Sequence, residues 1–226
     1  VDLEAGLTRR FEKLKGTPEA AAARTRMKKY AAFNKMLTPM AKYYASEMSM
    51  RAANGAVAVL GGSGFMKDYP VERYLRDSRI TTIYEGTSQL QVIAAIAGVT
   101  GGMVKDVVAD VMAGVELTDE LKSKLAQVET LNNELDGTVN YVKNHAAGKD
   151  YHDLHARELV DAAIAVVCGA LLVRLAAKVP AKAPVLEHWL QKEFPKVRGD
   201  LAKAASGYMG SVELFDTLAP ILEPAD

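Results

Sequence analysis

One cysteine, Cys168, is all the thiol chemistry this sequence of 226 residues contains. A single thiol excludes an internal disulfide and suits a reducing compartment, so the expected location is cytoplasmic. Neither charge is in surplus: Lys plus Arg number 28, Asp plus Glu number 28, and the formal net charge is zero. Non-specific nucleic-acid binding needs a basic surface, and this balance argues against such a partner. The N-terminus, VDLEAGLTRRFEK, lacks both an apolar signal core and an initial Met, from which we expect a chain cut from something longer. Long apolar runs are missing as well. The longest, AAIAVVCGALLV from Ala162 to Val173, is bracketed by Asp161 and Arg174 and is too short to span a bilayer. It reads as the buried helix of a bundle, so no membrane span is expected. Alternation of apolar and polar residues is nowhere long enough to demand a sheet. RITTIY, from Arg79 to Tyr84, comes nearest and has no partner strand.

What is present is a globular composition, 49% hydrophobic and 25% charged, in a chain long enough to bury a sizeable core. Helical signals dominate it. LTRRFEKLKG reads as an amphipathic helix stopped by Gly16, after which Thr17 offers a cap and Pro18 suits a first helical position. The following run of Ala, Met, Lys and Arg is a strong helix former that Pro39 is expected to break or kink. A resumed helix then meets Gly61, Gly62 and Gly64. From Gly61 to Gly86 the chemistry is that of loops around a short helix. Ser88 and Gln91 have capping-box spacing, which starts a helix at Ser88 and places Leu90, Ile93, Ala94 and Ala97 on one face. Gly98, Gly101 and Gly102 mark a boundary, giving domains 1–102 and 103–226. In the second, Leu121, Leu125, Val128, Leu135, Val139 and Val142 form a bundle seam. Gly148 ends that helix, Pro180 closes the next, and Pro195 kinks or splits a third. SVELFDTLAPILEP supplies one last short helix.

Glu85 is the residue best placed for chemistry. It stands between a β-branched run and Gly86, just ahead of an apolar helix. A carboxylate can remove a proton beside a carbonyl when a dry pocket raises its pKa, and the free N–H groups of a helix start can receive an anion or acyl oxygen. The helix dipole works against that rise, so a working base needs desolvation to win, in an apolar hollow. The alternative is structural: Glu85 serves the helix dipole or pairs with an arginine. LGGSGF, from Leu60 to Phe65, could cradle a phosphate but follows a helix, which favours a tight connection. DYPVERYLRDSR packs both signs of charge together, as ion pairs that fix a loop usually do. His152 and His155 could share a helical face toward a metal, but no third ligand has a recognisable spacing, and no metal is expected. His145 and His188 read as surface residues, and Met36, Met40, Tyr43, Tyr44, Met48 and Met50 as core.

Taken in order, LTPMAKYYASEMSMRAANGAVAVLGGSGFMKDYPVERYLRDSRITTIYEGTSQLQ, from Leu37 to Gln91, resembles the C-terminal helical domain of the flavin-dependent acyl-CoA dehydrogenases. A helix, GG-x-GF, YPVERYLRD-x-RI and IYEGTSQ-x-Q follow one another at the family's spacing. The helices beyond Gly102 look more loosely like the C-terminal extension of larger bacterial members. The resemblance implies an all-α helical bundle with a second bundle or extension. It implies Glu85 as the base that takes the α-proton of an acyl-CoA, and Gly86 at the acyl end. It further implies Thr87, Ser88 and Gln89 against FAD from the helix start, and Gly61 and Gly62 against the FAD of a neighbouring subunit in a homo-oligomer. The product is a trans-2-enoyl-CoA, and an electron-transfer flavoprotein accepts the electrons. Many members carry a glutamine three residues before the glycine pair, where this chain has Ala58. The family's N-terminal helical and middle β-domains are absent from this sequence, so the chain alone is expected to be inactive. A helical oligomerisation module without catalysis is the rival reading.

Overall fold

The computed structural model describes residues 2–219, and among these every regular element is a helix. The chain forms two compact units, Val1–Ala113 and Gly114–Asp226.

The first unit is built on a spine. Helix α1 (Asp2–Leu14) stops just before Gly16, and α2 runs unbroken from Ala20 to Leu60. Pro39 does not break it. A proline inside a helix removes one backbone bond and crowds the preceding turn, but Pro39 is itself buried, along with Phe33, Met36, Met40 and Tyr43. Tertiary packing on that stripe carries the helix through. Against α2 pack α1, α4 (Val71–Arg79) and α5 (Ser88–Thr100). A single turn, α3 (Gly62–Phe65), links α2 to α4. RITTIY is not a strand. Its first residue, Arg79, ends α4, and the next three form a 3-10 turn, Ile80–Thr82. The two threonine hydroxyls donate back to carbonyls one turn earlier, Thr81 to Ser78 O at 2.6 Å and Thr82 to Arg79 O at 3.0 Å. Such local bonds offer the backbone an alternative to a ladder.

Helix α5 is apolar on two sides. Val92, Ala95, Ile96 and Val99 are the buried set, and Gly98 allows α5 to close on Met36. The stripe Leu90, Ile93, Ala94, Ala97 shares a face, but that face is exposed. After Thr100 the chain bends by 81° into α6 (Met103–Met112). Asp110 of α6 is tied back to α2 by Lys29 Nζ at 2.6 Å and by the Tyr30 hydroxyl at 3.0 Å.

The second unit is a bundle of α7 (Asp119–Asn144), α8 (Lys149–Lys178) and α9 (Ala183–Ala204), each packed on the other two. The α7 seam buries Leu121, Val128, Leu135, Val139 and Val142, with Leu131 and Asn132 beside them, while Leu125 is half-buried. Helix α8 is longer than its apolar run suggested. By length and composition it could cross a membrane, but 67% of its most apolar window is buried within the protein. Fully burying one Val or Leu is worth about 1.5–3 kcal/mol, and α8 buries Leu159, Val160, Val166 and Val173 completely. Trp189 of α9 donates its indole N–H to Ala165 O of α8 at 3.3 Å. Pro195 leaves α9 continuous between the buried Phe194 and Val197. Two single turns follow, α10 (Gly210–Glu213) and α11 (Phe215–Leu218), in place of one helix over the tail, and residues 220–224 of that expected helix lie outside the described residues.

The histidines do not share a ligand face. His152 pairs with Asp153 at 3.1 Å, whereas His155 is 1% exposed and packs 4.5 Å, centroid to centroid, from Tyr151. His145 is not a surface residue. It stacks on Tyr151 at 3.7 Å and is half-buried. The Tyr151 hydroxyl donates to Ala204 O at 2.9 Å and accepts from Gly207 N at 3.0 Å. No group of three or more potential metal ligands occurs among the described residues.

Candidate active site

The turn between the 3-10 segment and α5 is the only place in the described chain where a residue other than glycine takes a positive φ. That residue is Glu85, at +53°, and Gly86 follows at +92°. A left-handed conformation costs an L-residue about 1–2 kcal/mol. Strain of this kind tends to gather at functional sites, where surrounding bonds must hold it.

Those bonds come from both neighbouring helices. The Gln91 amide of α5 donates to Glu85 O at 3.0 Å and Gly86 O at 3.4 Å. Lys42 Nζ of α2 donates to Gly86 O at 2.7 Å and lies 5.7 Å from the Tyr84 ring centroid. A Cβ on Gly86 would stand 2.8 Å from Gln91 Nε2, so glycine there answers both the dihedral and the space.

Thr87, not Ser88, caps α5. Its extended backbone lets its hydroxyl accept from Leu90 N at 3.4 Å. The expected capping box is absent because both of its partners are engaged elsewhere. Gln91 holds the turn, and the buried Ser88 hydroxyl donates to Glu47 Oε1 of α2 at 2.5 Å. Ser88 therefore offers an outside molecule its place in the first helical turn, not its side chain. Thr87 and Gln89 are exposed.

Glu85 is exposed too. An apolar hollow was expected around this carboxylate, and the residue instead stands exposed. It forms no ion pair with any described residue. The apolar material is nevertheless beside it in the chain: Ile83 is 47% exposed, Tyr84 50% and Leu90 55%.

Gly61 and Gly62 lie at the α2–α3 junction. Gly61 sits at φ +56° and ψ −136°, and neither glycine has any atom within 4 Å of where a Cβ would be. Backbone here is open to close approach, as a phosphate or nucleotide requires. Gly64 is different: a Cβ on it would meet Val57 O at 2.5 Å, so it serves the tight link between helices. Ala58 is exposed. The charged segment after it forms none of the expected ion pairs among the described residues. Asp68, Glu72, Arg76 and Arg79 instead line an open groove of about 1050 Å³ with Met50, Val57, Phe65, Met66 and Leu75. Holding two long charged side chains in one geometry costs conformational entropy, and in water the Coulomb gain is small.

Lys42 and Glu47 went unseen in the sequence. Their partners lie 44 and 41 residues away, so no local spacing announces them. The open backbone at Gly61 and Gly62 and the exposed Thr87 and Gln89 are the parts of this segment that an outside molecule can reach.

A family model described as acyl-CoA dehydrogenase, C-terminal domain, matches residues 5–99. A second, acyl-CoA dehydrogenase C terminal, matches residues 99–184. An acyl-CoA dehydrogenase of Bacillus subtilis (strain 168) is 51% identical over 63 residues, 28% of this chain and 17% of that protein. The mitochondrial short/branched chain specific acyl-CoA dehydrogenase of Rattus norvegicus is 54% identical over 52 residues, 23% of this chain and 12% of its own. The cyclohexane-1-carbonyl-CoA dehydrogenase of Geobacter metallireducens is 47% identical over 58 residues, 26% and 15%. The matched part of this chain thus spans less than a fifth of each of these relatives.

Proposed function

The chain belongs to the acyl-CoA dehydrogenase family, and from that premise we propose that it is the C-terminal part of a flavin-dependent enzyme. The reaction is dehydrogenation of an acyl-CoA to a trans-2-enoyl-CoA. Glu85 is the base: its carboxylate takes the proton from the carbon beside the thioester. FAD, when bound, supplies the acceptor for the hydride leaving the β-carbon, and an electron-transfer flavoprotein receives the electrons. Gly86 leaves room for the acyl end. Thr87, Ser88 and Gln89 present the first N–H groups of α5 to the cofactor. Gly61 and Gly62 present open backbone to the FAD of a neighbouring subunit in a cytoplasmic homo-oligomer.

The observation that carries this reading is the left-handed Glu85, held at a helix start by donors from two helices. A carboxylate with only a structural task does not need so costly a backbone. Its exposure in this chain supports a division of labour, in which the rest of the enzyme closes over Ile83, Tyr84 and Leu90. The chain alone is therefore inactive, since half a wall cannot hold a ligand as a whole one does.

Glu85→Gln in the full-length enzyme tests the base. Turnover should fall by about three orders of magnitude or more while acyl-CoA still binds. Near-normal turnover removes Glu85 from the role. Rapid bleaching of flavin absorbance when FAD and a short acyl-CoA are added to this chain would defeat its inactivity.

A second reading, a helical interaction module, is favoured by the exposed apolar stripe of Leu90, Ile93, Ala94 and Ala97. Sedimentation decides its weight. A strict monomer at high concentration would count against it.

A further inference from the structure

The Glu85–Gly86 pair joins a left-handed residue with a full side chain to a glycine that is also at positive φ. The two carbonyls of this pair face two donors of different kinds. Gln91 stands on α5, in the same local segment, and moves with the turn. Lys42 stands on the α2 spine, 44 residues from Gly86, so its bond of 2.7 Å fixes the turn to the body of the unit. Its ammonium is half-buried and forms no ion pair with a described carboxylate. A lysine in that setting usually finds a carboxylate or reaches water. Here its hydrogen bond goes to the peptide oxygen of Gly86, directly after the one described non-glycine residue with a positive φ. The same ammonium lies 5.7 Å from the centroid of Tyr84, the residue preceding the strained pair.

We infer that Lys42 is a positioning residue for Glu85. By holding Gly86 O it keeps the Glu85–Gly86 peptide left-handed, and so sets where the Glu85 carboxylate stands relative to α2. This rests on Glu85 being the proton-abstracting base. Lys42 need not touch substrate or cofactor for the effect. A carboxylate displaced by about 1 Å loses much of its rate even with its chemistry intact.

Three variants test it: Lys42→Met, which keeps the apolar stem and removes the donor, Lys42→Arg, which restores a cation, and Glu85→Gln. Amide hydrogen exchange is measured on this chain. Lys42→Met should speed exchange of the Leu90 and Gln91 amides, which close the turn onto Thr87, by about tenfold to a hundredfold, the range for losing a bond from a charged donor. Exchange in α7 and α8 should not change, and Lys42→Arg should recover most of the protection. In the full-length enzyme Lys42→Met should lower kcat about tenfold with KM within about twofold, as expected when only the transition-state geometry suffers. Unchanged exchange across the turn overturns the inference. So does faster exchange with unchanged kcat, which would make Lys42 a simple tie between helices. If Glu85→Gln abolishes turnover and Lys42→Met does not lower it, the inference alone fails. If Glu85→Gln retains turnover, the base reading fails and the inference falls with it.

Discussion

Replacing Gly98 by alanine puts a methyl group where α5 closes on α2. An ideal Cβ there would lie 2.7, 2.8 and 2.9 Å from Met36 Cβ, Cγ and Sδ. Non-bonded carbons settle about 3.5–4.0 Å apart, so close to an ångström has to be found. Met36 is 1% exposed and cannot swing into water to supply it. Overpacking of this kind costs about 1–3 kcal/mol. Alanine returns about 1 kcal/mol through its better helix propensity. The net expectation for Gly98→Ala is a loss of about 0–2 kcal/mol, at about 4–8 °C in Tm per kcal/mol for a unit of this size. A second background gives a sharper expectation. Met36→Ala costs about 2–5 kcal/mol by itself, but it empties the space that the new methyl needs. There Gly98→Ala should change sign and stabilise by about 1 kcal/mol, from propensity and partial refilling. Urea titrations of the four proteins, followed by far-UV circular dichroism, close the cycle. A cost for Gly98→Ala that is the same in both backgrounds, within about 0.3 kcal/mol, would refute the packing argument.

Two further predictions concern the second unit. Burial holds the His155 imidazole below its ordinary value, against the opposing pull of Glu158 at 3.8 Å and with Lys203 adding to the depression. The unfolded chain takes the proton near pH 6.5 and the folded chain only at lower pH, so stability should fall as pH drops below about 6.5 and level off beneath the folded value. The urea midpoint should therefore be lower at about pH 5.5 than at about pH 7.5, and His155→Leu should flatten that difference. Equal slopes in both proteins would remove His155 as the cause. Cys168 offers a kinetic test. Burial pushes its thiol up to about 11, with the Glu193 carboxylate adding to the rise. At about pH 8 only on the order of one molecule in a thousand then carries the thiolate. Alkylation of the native chain should be far slower than that of the urea-unfolded chain, and comparable rates would contradict the burial.

Helix existence was legible because it rests on local chemistry. Gly16, Gly61 and Pro180 stop helices where their backbone demands it, and the α7 seam could be counted from spacing. The failures share a physical cause, which is tertiary packing outweighing a local rule. Pro39 and Pro195 sit inside helices that continue past them among buried neighbours. Ser88 and Gln91 have the spacing of a cap, but Glu47 and the Glu85–Gly86 carbonyls are better partners for them. On α5, periodicity identified an apolar face but could not say that the opposite face is the one buried. At the candidate site, the motif located Glu85 and the glycine after it. The left-handed backbone and the reach of Lys42 come from a crossing of α2 over the turn, and no short stretch of sequence encodes that.

Trp189 is the chain's only tryptophan, and its indole is fixed inside the second unit by the Ala165 carbonyl. Excited at the red edge of aromatic absorption, the protein therefore emits from that unit alone, while Gly98, Glu85 and Lys42 all sit in spectroscopic darkness. Emission that parts from circular dichroism along a denaturant series would reveal two melting events instead of one. The light would report on the α7–α9 bundle, and the remainder of the backbone signal would give the candidate site's unit a curve of its own.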